Sequence, residues 1–484
     1  MPVSRCLTRS ACAHADAVRR IRDDIGDDTQ WLAALGAALL LERASFSANK
    51  KVSSKKNASS QTETTIRTRY ARLSGYVATL PRREANVVAS WPEERRRFLA
   101  GTDVERALRC ERSAARREWE GYVKTRVREA LAARRETSEN KTSETREGNL
   151  ITSFPTFRDY LDARSVVSSR AFLVTDAEGP GLVPIADLFN HRTGGHHVAM
   201  RLLDGDGDGD ATLVAVVSSR VEKGAEVFNT YGALGNATLL NSYGFTQENN
   251  PEDTVSVSVP DLRAAAAMRG APGPVVAKRL AACFSSRRAP FQEHALFPLR
   301  KTRSPPNEGS PLEPPTALLV ALWAVTATDE AFASAEREIA GETAGLGGSG
   351  DPAEEAERDA AAAAAAALWR AAAERAEVSG TIFTAAASEV FLEILDRRRR
   401  MYVDVPEDYR EDDSIRRDAE TGGWRASLRI LVESERAVVD AHAAETKRRL
   451  AAFRGEFRAD ELDDAKRRKT AVVAEAEDPF ALFD

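Results

Sequence analysis

The sequence predicts an α+β protein, on three observations. Apolar residues recur at helical spacing through the charge-dense residues 82–135, apolar and polar residues alternate with period two between 198 and 218, and the chain after Pro260 is mainly helical in pattern and rich in alanine. With 484 residues, 43% of them hydrophobic, and a formal charge of 69 − 74 = −5, there is apolar material for more than one core.

Residues 1–28 hold a single glycine, Gly26, and no β-alternation. Residues 31–43 read as a helix with Leu, Ala or Gly on every face, hence a buried one. Its apolar run ends at Leu41, well short of the roughly 20 residues a bilayer requires, so no transmembrane helix is predicted. Residues 47–65, rich in Ser, Thr, Lys and Asn, are predicted to form a loop. Residues 82–135 carry fifteen Arg/Lys against nine Asp/Glu, with Phe98, Leu108, Trp119, Val123, Val127 and Leu131 along an apolar stripe. That pattern predicts helices whose Glu and Arg pair along solvated faces; the alternative is a basic face for nucleic acid or an acidic partner. A polar linker is expected at 136–149.

Strands are predicted at 198–203 and 212–218, joined by the turn-forming insert Asp204-Gly-Asp-Gly-Asp-Gly-Asp210. Lys223-Gly224 should turn the chain into a short strand at 226–230, and Asn236 should cap a helix carrying Leu239 and Leu240. Beyond Pro260, breaks fall at 304–315 and 345–350. The alanine run 360–367 favours helix, one helix ends near Arg397–Arg400, and another begins at Trp424. Residues from about 451 form a charged tail that includes Lys466-Arg-Arg-Lys469, a sequence fit for a nuclear import signal or a solvated basic turn.

Several apparent motifs lack their chemical context. Cys6, Cys12, Cys110 and Cys283 are scattered and form neither a disulfide framework nor paired zinc ligands, and no secretory signal precedes them. A reduced intracellular compartment is expected: cytoplasm or nucleus, with the chloroplast open. Gly345-Leu-Gly-Gly-Ser-Gly350 matches a dinucleotide fingerprint but follows no strand. The aspartates from Asp204 open like a calcium loop, yet its twelfth position is Ala215 where a Glu is needed. His191, His196 and His197 lie near Asp187 without a cysteine, and no metal site is predicted.

Four short pieces stand in order: Ser169-Arg-Ala-Phe172; Leu182-Val-Pro-Ile-Ala-Asp-Leu-Phe-Asn-His191; Gly224-Ala-Glu-Val-Phe-Asn-Thr-Tyr-Gly232; and Tyr243-Gly-Phe245. Their order and spacing resemble the SET-domain protein methyltransferases, in the branch that modifies the Rubisco large subunit and ribosomal proteins. Leu40-Leu-Glu-Arg43 and Gly75-Tyr-Val-Ala-Thr-Leu-Pro81 resemble further segments of that branch, and the stretches around Arg397 and Trp424 resemble its helical substrate-binding domain.

The resemblance implies a SET β-fold with a pseudoknot and a helical insert, followed by an all-helical substrate-binding domain. Its expected parts are an N-terminal SET remnant at 1–45, the insert at 46–159, the SET core at 160–259, the helical domain at 260–450 and the tail at 451–484. It implies S-adenosylmethionine as cofactor and transfer of its methyl group to a protein lysine (histidine being the other acceptor in this branch), in a ribosomal or other abundant protein. Neither a membrane nor nucleic acid is an expected partner. Tyr231 would be catalytic; Arg170, Asn190, His191, Tyr243 and Phe245 would bind cofactor; Asp187, Tyr231 and Tyr243 would contact substrate. Such chemistry needs a neutral amine, which an apolar channel favours because desolvation lowers a lysine's pKa, and a hydroxyl to orient the reacting groups. Members of the family begin with a glycine-rich strand that residues 1–28 lack, and a SET module that binds peptides without catalysis is the alternative reading.

Overall fold

A computed structural model describes residues 6–10, 12, 14–25, 31–52, 73, 75–139, 154–175, 179–203, 211–284, 295–301, 312, 314–343, 384–407, 409 and 423–455. The chain divides into two units, Met1–Glu252 with Val403–Leu431, and Asp253–Tyr402 with Val432–Asp484. The alanine run, the glycine motif at 345–350, the Asp204–Asp210 insert and the basic tail lie outside the described residues.

In the first unit, helix α1 (Ala15–Ile25) leads to α2 (Trp31–Val52). As its composition requires, α2 is buried without a break from Ala33 to Glu42. It runs past the expected end at Arg43 to Val52, so the start of the expected loop is helical. Once the apolar half has formed, each further residue adds a hydrogen bond at small cost, and Ala and Lys extend the helix readily. The charged segment forms α3 (Asp103–Glu118), a π-helical turn (Trp119–Val123) and α4 (Lys124–Glu139), which takes in the first residues of the expected linker. The predicted stripe is buried, and the charges pair along exposed faces, as in Arg109 with Glu105 and Lys124 with Glu120.

Helix α5 (Phe157–Arg170) starts at a capping box of Thr156 and Asp159 and packs on α2, where a Cβ on Gly36 would meet Arg164 at 3.1 Å. It delivers the chain into β1 (Ala171–Thr175), antiparallel to β2 (Gly179–Leu182). Among the described residues of 1–28 there is no strand, but the N-terminal segment makes one isolated bridge here. Leu7 and Leu182 exchange two backbone hydrogen bonds of 2.9 Å, and Cys6, Leu7 and Thr8 are fully buried. A one-residue bridge leaves no alternation to read. Gly181 permits the approach, since a Cβ there would stand 3.1 Å from the Leu7 carbonyl oxygen and 2.8 Å from Val174.

The main sheet has four strands: β3 (Asn190–His191), β4 (Val198–Leu203), β5 (Thr212–Val217) and β6 (Phe228–Asn229), in the order β3-β6-β4-β5. β4 and β5 pair antiparallel from Val198↔Val217 to Leu203↔Thr212, as the hairpin pattern predicts. β6, two residues where five were expected, lies parallel to both β3 and β4.

Among the described residues, the second unit is helical apart from one antiparallel pair, β7 (Thr254–Ser258) with β8 (Leu296–Arg300). Its helices are α6 (Val259–Met268), α7 (Gly273–Phe284), α8 (Thr316–Thr326), α9 (Asp329–Thr343), α10 (Ala385–Met401) and the greater part of α11 (Trp424–Phe453). α8 is its apolar centre, buried from Leu318 to Val325, and buried Glu435 accepts hydrogen bonds from Tyr402 and Arg398.

The first unit buries the ion pair of Glu118 and Arg164. Glu118 accepts from the Tyr160 hydroxyl at 2.8 Å and pairs with Arg164, both charged side chains being 11% exposed. Glu118→Ala would strand a buried guanidinium and should cost about 3–5 kcal/mol in urea unfolding. Arg109→Ala, at an exposed pair, should cost under about 1 kcal/mol.

Candidate active site

The site is assembled where β3 lies beside β6. The pairing Asn190↔Phe228 and His191↔Asn229 continues in Arg192 N donating to the Asn229 carbonyl (3.0 Å) and His197 N to that of Phe228 (2.8 Å). Tyr231, two residues past Asn229, then donates its backbone N–H to His191 Nδ1 at 2.9 Å. Because Nδ1 accepts, a neutral His191 carries its proton on Nε2, which donates to Thr193 Oγ1 at 2.9 Å. The two rings stack with centroids 5.0 Å apart. Burial, reinforced by His196, holds the His191 pKa below its ordinary value.

The Tyr231 hydroxyl donates to the Phe189 carbonyl at 2.7 Å. Tyr243 packs 4.7 Å from the Tyr231 ring, and Phe245 completes the cluster at 6.4 Å from Tyr243 and 6.1 Å from His191. Tyr243 ends a π-helical turn (Leu239–Tyr243), and Gly244, at φ 82°, donates its backbone N–H to the carbonyls of Leu239 and Leu240. A Cβ on Gly244 would come within 2.6 Å of Asn86, so this glycine sets how closely the turn approaches residues 86–87. Asn236 is the first residue of the preceding helical turn, which starts after Gly235, and does not cap it. Its amide instead brackets Gln247 N and O at 2.7 and 2.9 Å, and Gln247 Oε1 accepts from Thr193 N at 3.2 Å.

Opposite the tyrosines stands a charged group. Arg170, the last residue of α5, donates Nε to Glu84 at 2.6 Å, and its Nη1 lies 3.4 Å from both Asp187 Oδ2 and the Asp187 carbonyl. The Tyr76 hydroxyl donates to Asp187 Oδ2 at 3.0 Å. Arg170, Leu173, Asp187, Thr230, Tyr231 and Tyr243 line a cavity of about 180 Å³. Desolvation pushes Tyr231 up to about 12, with Tyr243 adding to the effect, and raises Tyr243 and Tyr76 too, so these hydroxyls stay neutral at ordinary pH.

Of the residues expected to act, Arg170, Asp187, Tyr231 and Tyr243 share this cavity, while His191 and Phe245 pack behind the tyrosines. Asn190 is brought beside them by its backbone only. Its side chain is exposed and donates to Glu226 at 2.5 Å. Tyr76 and Glu84 were not anticipated. Tyr76 lies within a segment read as a family signature but carried no mark of its own, and Glu84 is one carboxylate among nine in its segment. Among the described residues, no group of three or more His, Cys, Asp or Glu could hold a metal ion; His197 Nδ1 accepts the Phe228 amide at 3.1 Å.

No family model matches the chain. It is 36% identical over 115 residues to ribosomal lysine N-methyltransferase set10 of Schizosaccharomyces pombe, which covers 22% of this chain and 20% of that protein. Over 89 residues it is 36% identical to N-lysine methyltransferase setd6 of Xenopus laevis, which covers 18% of each. The chain thus matches about a fifth of the length of these curated relatives. A crystal structure of the SET domain of LSMT bound to lysine and AdoHcy shares the fold, with a TM-score of 0.50 over 93% of this chain and 80% of that one at 16% identity. The chain has the SET-domain fold. Over the aligned segment it is a homologue of lysine N-methyltransferases.

Two predictions follow from the wiring of this site. His191 is depressed below its unfolded pKa of about 6.5, so the unfolded chain binds the proton first. Its contribution to stability is present above pH 6.5 and is lost as pH falls through the folded value; the thermal midpoint should drop across that window, less steeply in His191→Asn. Gly244→Ala should destabilise by at least about 1–2 kcal/mol from the left-handed backbone alone, and near-UV circular dichroism should register the displaced tyrosines.

Proposed function

We propose that this protein transfers a methyl group from S-adenosylmethionine to the side-chain amine of a lysine in a protein substrate, drawn from ribosomal or other abundant proteins. The observation that carries the reading is the meeting of Tyr231, Tyr243, Arg170 and Asp187 at one cavity, with the Tyr231 hydroxyl tied to the residue before Asn190-His191.

The residues fit such a cofactor. When bound, it supplies a methyl group on a positively charged sulfur, and the clustered faces of Tyr231, Tyr243 and Phe245 suit positive charge. Asn190, with an exposed amide, and His191, with Phe245 and Arg170, are the residues that would hold it.

The chain's own groups account for the remainder. Glu84 and Asp187 stand against a single guanidinium, so the cavity attracts a lysine ammonium. Its aromatic wall disfavours the ammonium form, whose ordinary pKa is near 10.4, so the proton passes to solvent at the mouth and the amine is left neutral to take the methyl group. Tyr231 is not the base, because burial holds it protonated up to about pH 12. Its proton is committed to the Phe189 carbonyl, which leaves the hydroxyl oxygen free to accept and orient the reacting groups. Asp187, fixed by Tyr76 and Arg170, holds the amine end of the substrate.

Incubation with a cell extract and radiolabelled S-adenosylmethionine should label a protein band at lysine, and Tyr231→Phe should reduce the rate roughly 100-fold or more. Equal labelling by Tyr231→Phe would refute the role of Tyr231. A wild-type protein that binds peptides but labels none would be the non-catalytic module instead.

A further inference from the structure

One large aliphatic side chain lies at the opening of the cavity, and two more are exposed on the turn that carries Asp187. Leu173 lines the cavity and is 62% exposed, which places it at the mouth. Ile185 (67% exposed) and Leu188 (71%) lie two residues before and one residue after Asp187, which lines the cavity as well. Leu188 N donates to the Ile185 carbonyl at 3.1 Å, so one turn presents both.

Ile185 is held at φ 73°, ψ −41°. A β-branched residue avoids this γ-turn region, whereas glycine takes it without strain. The position thus combines backbone strain with solvent exposure of an apolar side chain, and glycine would relieve both. Strain kept two residues from Asp187, which lines the cavity, points to use, as does the exposed apolar side chain of Leu173 at the cavity itself.

The dimensions say what covers this rim. At about 180 Å³ the cavity is of a size for one long side chain, whereas pockets that enclose a whole small molecule run to roughly 300–1,000 Å³. The bulk of the cofactor would therefore rest outside it, toward Asn190, His191 and Phe245. The cavity accepts one long side chain but not the backbone that carries it. The residues on either side of an inserted lysine, at about 3.3 Å per residue in extended chain, must therefore rest outside, on Leu173, Ile185 and Leu188. We infer that this rim reads the neighbours of the acceptor, and that the substrate is an extended protein segment whose lysine is flanked by bulky aliphatic residues. The inference rests on the lysine reading of the site for which side chain enters the cavity.

The test uses fluorescein-labelled peptides with a central lysine flanked by Leu, Ser or Glu, with binding followed by anisotropy and methyl transfer by radiolabelled S-adenosylmethionine. The wild-type protein should bind the Leu-flanked peptide roughly tenfold more tightly than the Ser-flanked one. Ile185→Gly should lose most of that preference while its thermal midpoint holds or rises, and Leu188→Ser should lose it too. Equal binding of Leu- and Ser-flanked peptides, or a preference unchanged in both variants, overturns the inference. Labelling without flank preference overturns the rim and leaves methyl transfer standing. Flank-dependent binding without labelling supports the rim and overturns methyl transfer.

Discussion

The site depends on the two-residue parallel pairing of β3 with β6. It places Tyr231 against His191, forty positions earlier, and it lets one imidazole accept the Tyr231 amide while its ring supports the Tyr231 ring. A pairing this short supplies few backbone hydrogen bonds of its own. It is kept by the contacts around it: Asn229 is buried, Arg192 and His197 extend the hydrogen bonding on either side, and Gln247 ties the Thr193 amide to Asn236. Parallel neighbours cannot be joined by a tight turn, and the chain between them makes the β4–β5 hairpin.

The charged half of the site is brought in by different elements. Arg170 comes from the end of α5, Asp187 from a strained turn, and Tyr76 and Glu84 from the segment ahead of the charged helices. These groups are largely desolvated, with 3% of the Asp187 side chain exposed, so each would be costly without its partners. Together they form a network in which the guanidinium and the Tyr76 hydroxyl fix the carboxylate facing the cavity. Aromatic floor and ionic wall thus serve different ends: one desolvates, the other attracts and orients.

Much of this was legible in the residues themselves. The composition of α2 required burial, the alternation at 198–218 required a hairpin, and the order of the motifs from Arg170 to Phe245 named most of the cavity's lining. The rest was hidden for physical reasons. Leu7 pairs through a single bridge, below the length at which periodicity exists. Asn236 has the chemistry of a cap but finds better partners in Gln247. Glu84 looks like any other carboxylate of a charged helical segment, and only its distance of 2.6 Å from Arg170 separates it from the others.

Local sequence determined which residues could form helices and strands, because backbone propensity and apolar spacing act over neighbours, and it determined which side chains carry the needed hydroxyl, carboxylate and guanidinium groups. The tertiary structure alone decided that Tyr76 faces Asp187 across 111 positions, that Asn190 turns outward to Glu226, and that Ile185 is held in a backbone it would not choose. Those outcomes are set by packing between segments distant in the chain, where desolvation and close approach outweigh any local preference.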